Sequence, residues 1–415
     1  MRIVHIAPYY APAYAFGGVV SAVEGLASAQ AARGDSVTVL TTDAGDLGGR
    51  RIAPMRDVRD GVQIIRCPNL SSTLRARYNL STPRKFAAIV RALAAKCDVL
   101  HLHELRTAEA WLTVRYAPPH ARIVLSPHGT LSHATGRSSF KRAWDRLLGR
   151  PIMARVNAVA ALTAFEAGEV RDLWTQRGLT PPPITIVPNG VGQDVWAGLN
   201  SPDLVDDIEA LHAKYQFTRP GRINVLFLGR LHERKGLQFL IPAFYQALVQ
   251  HHAEYAEDVA IAHANLLVIG PDAGMAERVR QMVVEFNPIT DEISADFAPT
   301  ILTGALVGRE RIAALAASHI FVLPAVGEGL PMAALEAAAA GCALILTEGC
   351  NLPEVAEIGA GLIAPRTVEG IASALRGLLL DSEKRKAMGE RARQWASENF
   401  RWESIIWQMD QVYGK

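Results

Sequence analysis

IFVLPAVGEGLPMAALEAAAAG, residues 320–341, reads as one strand, one glycine-rich turn and one helix. Ile320 to Leu323 is an unbroken apolar run of strand length, as expected of a strand buried on both faces. Gly327 and Gly329 interrupt it. Pro331 suits the first turn of a helix, where a missing N–H costs nothing, and Gly341 suits its end.

The same strand, turn and helix grammar extends in both directions. Upstream, strands are expected at Val225 to Leu228, Asn265 to Ile269 and Thr300 to Leu302, and downstream at Ala343 to Leu346. The first half repeats the pattern with strands at Arg2 to Ala7, Ser36 to Thr41, Val62 to Arg66, Val99 to His103, Arg122 to Ser126, Ala158 to Ala161 and Thr185 to Val187. Between the first two of these lies an apolar helix, Val19 to Ala32, preceded by Gly17 and Gly18 and closed by Gly34. Alternation of this kind predicts parallel sheets built from βαβ units. A break falls at Pro181 to Pro183 and across the polar stretch 190–221, which predicts two domains: 1–190, completed by roughly 396–415, and 191–395. The expected fold is α/β, with two Rossmann-like doubly wound domains facing a central cleft and a C-terminal helix crossing back to the first domain. That last stretch, 382–415, predicts a helix bent near Asn399 and Phe400. Its apolar set, Trp395, Phe400, Trp402, Ile405, Ile406, Trp407 and Val412, needs burial.

The chain has 415 residues, 49% apolar and 20% charged, with 56 Gly and Pro together, so collagenous, coiled-coil and low-complexity classes are excluded. Cys67, Cys97, Cys342 and Cys350 form no CxxC pair and read as reduced packing residues of a cytoplasmic protein. The opening MRIVHIAPYY is too short in its apolar core for a signal peptide, and no run approaches the ~20 apolar residues that cross a bilayer. Net charge is +2, yet residues 1–200 carry 24 Lys and Arg against 14 Asp and Glu, a net of +10, leaving −8 for the remainder. The basic half suits an anionic partner; uneven surface charge without a function accounts for it equally.

Four constellations could carry chemistry. Gly17 and Gly18 open a helix where a phosphate could approach the backbone, although a plain strand-to-helix turn needs the same residues. Gly229 and Arg230, followed by Lys235, leave the strand 225–228. They present a planar fork and a point charge suited to a diphosphate, or else are scattered charges on a solvated loop. In the 320–341 unit, Glu336 falls somewhat over one turn into an apolar helix, where an unpaired carboxylate is costly and a ribose diol could engage it. Glu328 precedes it in the glycine loop, at the mouth of the expected cleft. Finally His128, at a strand end before Gly129, could meet a sugar hydroxyl or a phosphate, whereas His101 reads as structural.

Together these motifs resemble the retaining glycosyltransferases of the GT-B fold, family four, the glycosyl transferase group 1 enzymes. The resemblance covers nearly the whole chain: PAYAFGGVVSAVEGLA from Pro12, SPHGTL from Ser126, VPNGV from Val187, FLGRLHERKG from Phe227, LPAVGEGLPMAALEAAAAG from Leu323, and the terminal aromatic helix. It implies a nucleoside-diphosphate sugar as donor substrate and no resident cofactor. Arg230 and Lys235 would neutralise the diphosphate, and Glu336 would bind the ribose. Glu328, with backbone N–H groups from Gly329 and Leu330 to Met332, would contact sugar and phosphate. Gly18 would approach the phosphate, and His128 would stand near the C6 hydroxyl of the sugar. The base would meet backbone atoms after Gly304, around Leu306. Where many relatives have Phe-Gly, this chain has Leu330 and Pro331, which removes an N–H donor. No DxD sequence occurs, so no metal site is expected.

The resemblance also implies a saccharide or lipid-linked acceptor, with the basic half at the inner face of the plasma membrane. The segment 137–150, RSSFKRAWDRLLGR, has the basic and apolar interleaving of an interfacial helix, which an amphipathic core helix shares. Readings from other classes are a non-hydrolysing nucleotide-sugar epimerase, a non-catalytic nucleotide-sugar binder and a nucleic-acid binder. For the last no reading motif is present.

Overall fold

Apolar runs that cannot tolerate a wet face become inner strands, and the computed structural model places them in two sheets. It describes residues 1–46, 49–71, 73–74, 80–132, 138–216, 222–254, 264–286 and 300–415. Two units result: Met1–Gly192 with Arg401–Lys415, and Gln193–Phe400.

In the first unit, β1 (Arg2–Ile6), β2 (Ser36–Thr42), β3 (Arg56–Arg59), β4 (Val62–Cys67), β5 (Val99–His103), β6 (Ile123–Ser126), β7 (Ala158–Ala161) and β8 (Ile184–Ile186) form one sheet. Their order is β3-β4-β2-β1-β5-β6-β7-β8, parallel throughout except for β3 against β4. The second unit holds β9 (Ile223–Leu228), β10 (Ala264–Ile269), β11 (Thr300–Gly304), β12 (Ile320–Leu323), β13 (Ala343–Leu346) and β14 (Gly361–Ile363). They run in the order β11-β10-β9-β12-β13-β14, all parallel. In each sheet the order reverses beside the first strand, at β1/β5 and at β9/β12, which opens a crevice at the carboxyl ends.

Two strands escaped the sequence reading. β3 is a charged edge strand, RDVR, with no fully buried position, and β14 is only three residues long. Both lack the apolar run that marks an inner strand.

The chain's last helix, Trp402–Tyr413, packs in the first unit, not in the unit that precedes it in sequence. Trp402, Ile405, Ile406, Met409, Val412 and Tyr413 join Ile3, Leu26, Val99, Val124, Ala158 and Val187 in one buried cluster. Of the expected apolar set, Trp395 is only partly buried, and Trp407 is 64% exposed, with the Arg33 guanidinium 5.5 Å from its ring centre. Snug packing explains VPNGV. A Cβ on Gly190 would lie 2.5 Å from the Trp402 indole, and one on Gly25 would lie 2.3 Å from it on the opposing helix. A rigid ring cannot yield to both. Gly190→Ala is therefore expected to lower stability by ~1–3 kcal/mol, read as a fall in Tm on thermal denaturation; an unchanged Tm would contradict this packing.

The helix expected over 137–150 forms from Ser138, with a π-helical turn at Asp145–Gly149 and a continuation to Met153. Arg137 lies outside the described residues. Trp144 and Asp145 turn inward, and Asp145 is bound bidentately by Arg106 at 2.8 and 2.9 Å. Arg142, Arg146, Leu147 and Arg150 remain outside, Leu147 being 73% exposed. Among the described residues no helix is long and apolar enough to cross a membrane.

Candidate functional site

The second unit brings its motifs together at the β9/β12 reversal. After β9 the chain passes Gly229 and an exposed Arg230 into a 3-10 turn, Glu233–Lys235, that ends on Gly236. Gly236 has φ +81°, and a Cβ there would sit 2.0 Å from the Pro324 carbonyl oxygen, so only glycine lets the two loops touch. Gly270 meets Gly229 in the same way: a Cβ would be 1.8 Å from the Gly229 oxygen. These approaches deliver Lys235 to Glu328, whose oxygen lies 2.9 Å from the ammonium, with side chains 20% and 17% exposed. Arg234, which had no role in the sequence reading, does the joining. Arg234 donates to the carbonyls of Val326 and Gly327 at 3.2 and 2.8 Å, and its own carbonyl accepts from Val326 N–H at 2.8 Å.

From the other side, Asn351 Nδ2 donates to the Glu328 carbonyl at 2.6 Å and Glu328 N–H donates to Gly349 at 2.8 Å. The glycine loop is thus held at both ends. Its helix begins at Met332, so Pro331 is the capping residue and not part of the first turn. No side chain caps this end, and Gly329, Leu330 and Met332 lie around it with Leu330 buried.

Glu336 is buried as expected, but it is not unpaired. Arg311 Nη1 donates to both its oxygens at 2.7 and 2.8 Å, while Arg311 Nη2 reaches Asp194 at 3.3 Å. Burial pushes the Glu336 pKa up, and Arg311 pulls it back toward its usual range. The cost of burying the charge is therefore met within the protein, and burial alone no longer points to a ligand. Arg311 follows a solvated-looking GRE and gave no signal in the sequence. Near the edge of the sheet, the Gly304 carbonyl accepts from Gly270 N–H at 2.9 Å, Leu306 is buried, and Val307 is 76% exposed.

In the first unit the helix starts at Gly18, one residue earlier than expected, with Gly17 at φ +100° before it. Nothing crowds a Cβ on Gly17, so the turn itself requires glycine. His128 stands in the left-handed region at φ 57°, followed by Gly129 at φ 70°. Glu166, which the sequence reading missed, holds this turn by accepting from Gly129 N–H and, at 2.7 Å, from Leu162 N–H. Burial pushes its pKa up to about 7. Thr163 and Glu166 show the spacing of a capping box, the one sequence cue to it, and Thr163 does cap Glu166 N–H at 3.2 Å. Arg106 fixes the far end through the carbonyls of Thr130 and Leu131.

Behind His128 lies a buried imidazole cluster. His103 Nδ1 is 2.8 Å from His128 Nε2, His5 Nδ1 is 2.9 Å from His103 Nε2, and His5 Nε2 is 2.8 Å from Gln30 Oε1. His101 bonds Tyr413 Oη at 2.9 Å and Ser126 Oγ at 2.8 Å, a structural role as read. Burial lowers all four pKa values, those of His5 and His128 to about 4, so the cluster is neutral at pH 7. His5, His101 and His103 bring ring nitrogens within 4.8 Å of one another, a spacing open to a metal, yet all six of those nitrogens already have hydrogen-bond partners.

Two doubly wound units, one with cations and a glycine loop at its strand reversal, have the architecture of GT-B glycosyltransferases. The Glycosyltransferase Family 4 description matches residues 16–194 and that of Glycosyl transferases group 1 matches residues 222–381; the chain belongs to this family of glycosyltransferases. It is 26% identical over 292 residues to the GDP-mannose-dependent alpha-(1-6)-phosphatidylinositol monomannoside mannosyltransferase of Mycobacterium tuberculosis, spanning 69% of this chain and 67% of the relative. Sucrose-phosphate synthase from Thermosynechococcus elongatus shares the fold at a TM-score of 0.73 with 20% identity, covering 100% of this chain and 98% of that one. HepE of Anabaena, in complex with UDP and glucose, does so at 0.71 with 16% identity, covering 100% and 99%.

Proposed function

We propose that this glycosyltransferase moves a sugar, with retention and without a metal, from a nucleoside-diphosphate sugar to a saccharide or lipid-linked acceptor in cell-surface polysaccharide or glycolipid synthesis. The observation that carries this reading is the meeting of Lys235, Glu328 and the glycine loop at the β9/β12 reversal, with Arg230 exposed on the loop that leads from β9 to Lys235. The second unit would hold the donor and the first the acceptor. As the bond to the anomeric carbon breaks, negative charge grows on the departing diphosphate. Two cations placed there stabilise that charge more than the ground state, the part a metal plays elsewhere. Glu328 holds Lys235 in place until phosphate oxygens compete for it. Glu336, held through both oxygens by Arg311, offers its outer lone pairs to a ribose diol. The names of relatives support the donor class: one uses GDP-mannose and another was crystallised with UDP and glucose.

Melting-temperature shifts with UDP, GDP and ADP sugars test the donor class: at a hundredfold excess over Kd, a true donor adds ~2.7 kcal/mol of stability. No shift with any of them sinks the assignment. The exposed face of Arg142, Arg146, Leu147 and Arg150 is proposed to meet an anionic membrane at the cytoplasmic side. Co-sedimentation with phosphatidylglycerol vesicles, lost at high salt and in Leu147→Glu, is the expected result; equal binding to neutral vesicles would contradict it.

A further inference from the structure

The imidazole cluster has a direction. Gln30 Nε2 donates to Tyr413 Oη at 3.0 Å, so its Oε1 is the atom that faces His5 Nε2, at 2.8 Å. A carbonyl oxygen only accepts, so His5 carries its proton on Nε2 and is bare at Nδ1. His103 must then donate from Nε2 to His5 Nδ1, which leaves its own Nδ1 bare to accept from His128 Nε2–H. At the end of this chain His128 Nδ1 is buried, deprotonated and without a hydrogen-bond partner. Turning the Gln30 amide over would reverse every bond and bury an unpaired N–H at His128 instead, the costlier orphan.

We infer that Gln30, His5 and His103 are positioning residues that lock His128 in its Nε2–H tautomer, so that Nδ1 serves as a hydrogen-bond acceptor for a hydroxyl of the bound sugar or acceptor. The inference rests on the reading of His128 as a sugar contact only for the identity of that hydroxyl; the tautomer itself is a property of the free protein. Gln30 is on the Gly18–Ala32 helix, His5 on β1, His103 on β5 and Tyr413 on the last helix, so four elements must dock before the proton positions are set. The same Tyr413 hydroxyl lies 2.9 Å from His101 Nδ1, whose Nε2 is 2.8 Å from Ser126 Oγ, so the last helix joins both sides of the cluster. The cluster is neutral because it is buried, and the tautomers persist across the ordinary working range of pH.

Nitrogen-15 spectra of the full-length protein, labelled at histidine, read the protonation of each ring nitrogen directly and need no substrate. The expected result is a protonated Nε2 and a bare Nδ1 at His128, shifting to a mixture of both tautomers in Gln30→Met. Should that variant not fold, Tyr413→Phe removes the hydroxyl that orients the Gln30 amide and is expected to give the same mixture. A His128 protonated at Nδ1, or a tautomer unmoved by either change, overturns the proposal. So does a stoichiometric zinc ion in the purified protein, since it would take the nitrogens the chain uses. Failure of sugar transfer would leave these spectra untouched, so the two readings fail separately.

Discussion

Arg230→Ala lowers turnover at least tenfold with the fold intact, and Lys235→Ala does the same or more. Arg230 is exposed, so its loss costs little stability, and the effect is confined to whatever its guanidinium meets. Lys235 is tied to Glu328, and alanine there also leaves a half-buried carboxylate without its cation. Glu328→Gln is the matching control, since it keeps the shape and removes the charge. Removing one preorganised donor from a developing anion commonly costs ~3 kcal/mol, about a hundredfold in rate. The loss should fall on kcat and on kcat/KM together, because the interaction strengthens as the diphosphate departs. Steady-state kinetics with the donor found by melting shifts are the measurement. Near-normal rates in both variants would remove the diphosphate assignment.

Arg311→Ala destabilises the second unit by about 3 kcal/mol near neutral pH, the cost of leaving a buried carboxylate without its partner. The sign with pH follows from Glu336, whose folded pKa is already raised by burial and rises further once Arg311 is gone. A group raised in the folded state contributes most at low pH and loses that contribution as pH rises through its folded value. The variant's deficit therefore shrinks as pH falls and the carboxyl takes up a proton. Urea denaturation at several pH values checks this; a deficit independent of pH would show that Glu336 is not the group left exposed to the penalty. Donor affinity should fall as well, because an unpaired Glu336 favours its neutral form.

How far these features were legible depended on where their physical cause lay. The inner strands announced themselves, since a strand buried on both faces needs an apolar run, and β7, β9, β12 and β13 contain those runs. Edge strands β3 and β14 carry no such demand and passed unseen. Lys235, Glu328 and the glycines stood out because turns and close approaches allow few residue types. Arg311, Arg234 and Glu166 did not, since a charged residue on a helix or loop looks the same whether it faces water or a buried partner. Trp407 failed in the opposite direction: an aromatic in an apolar helix was read as buried, while it is largely exposed with the Arg33 guanidinium over its ring.

The sequence by itself determined the class of fold, the order of its inner strands and the glycines that open and close helices at Gly17 and Gly341, because periodicity and backbone sterics are local properties written residue by residue. Which charges pair, which strands flank the reversal in each sheet, and which nitrogen of His128 is bare were decided only by tertiary structure. Those depend on residues such as Gln30 and Tyr413, 383 positions apart, and a hydrogen bond between them exists only once the last helix has packed against the first.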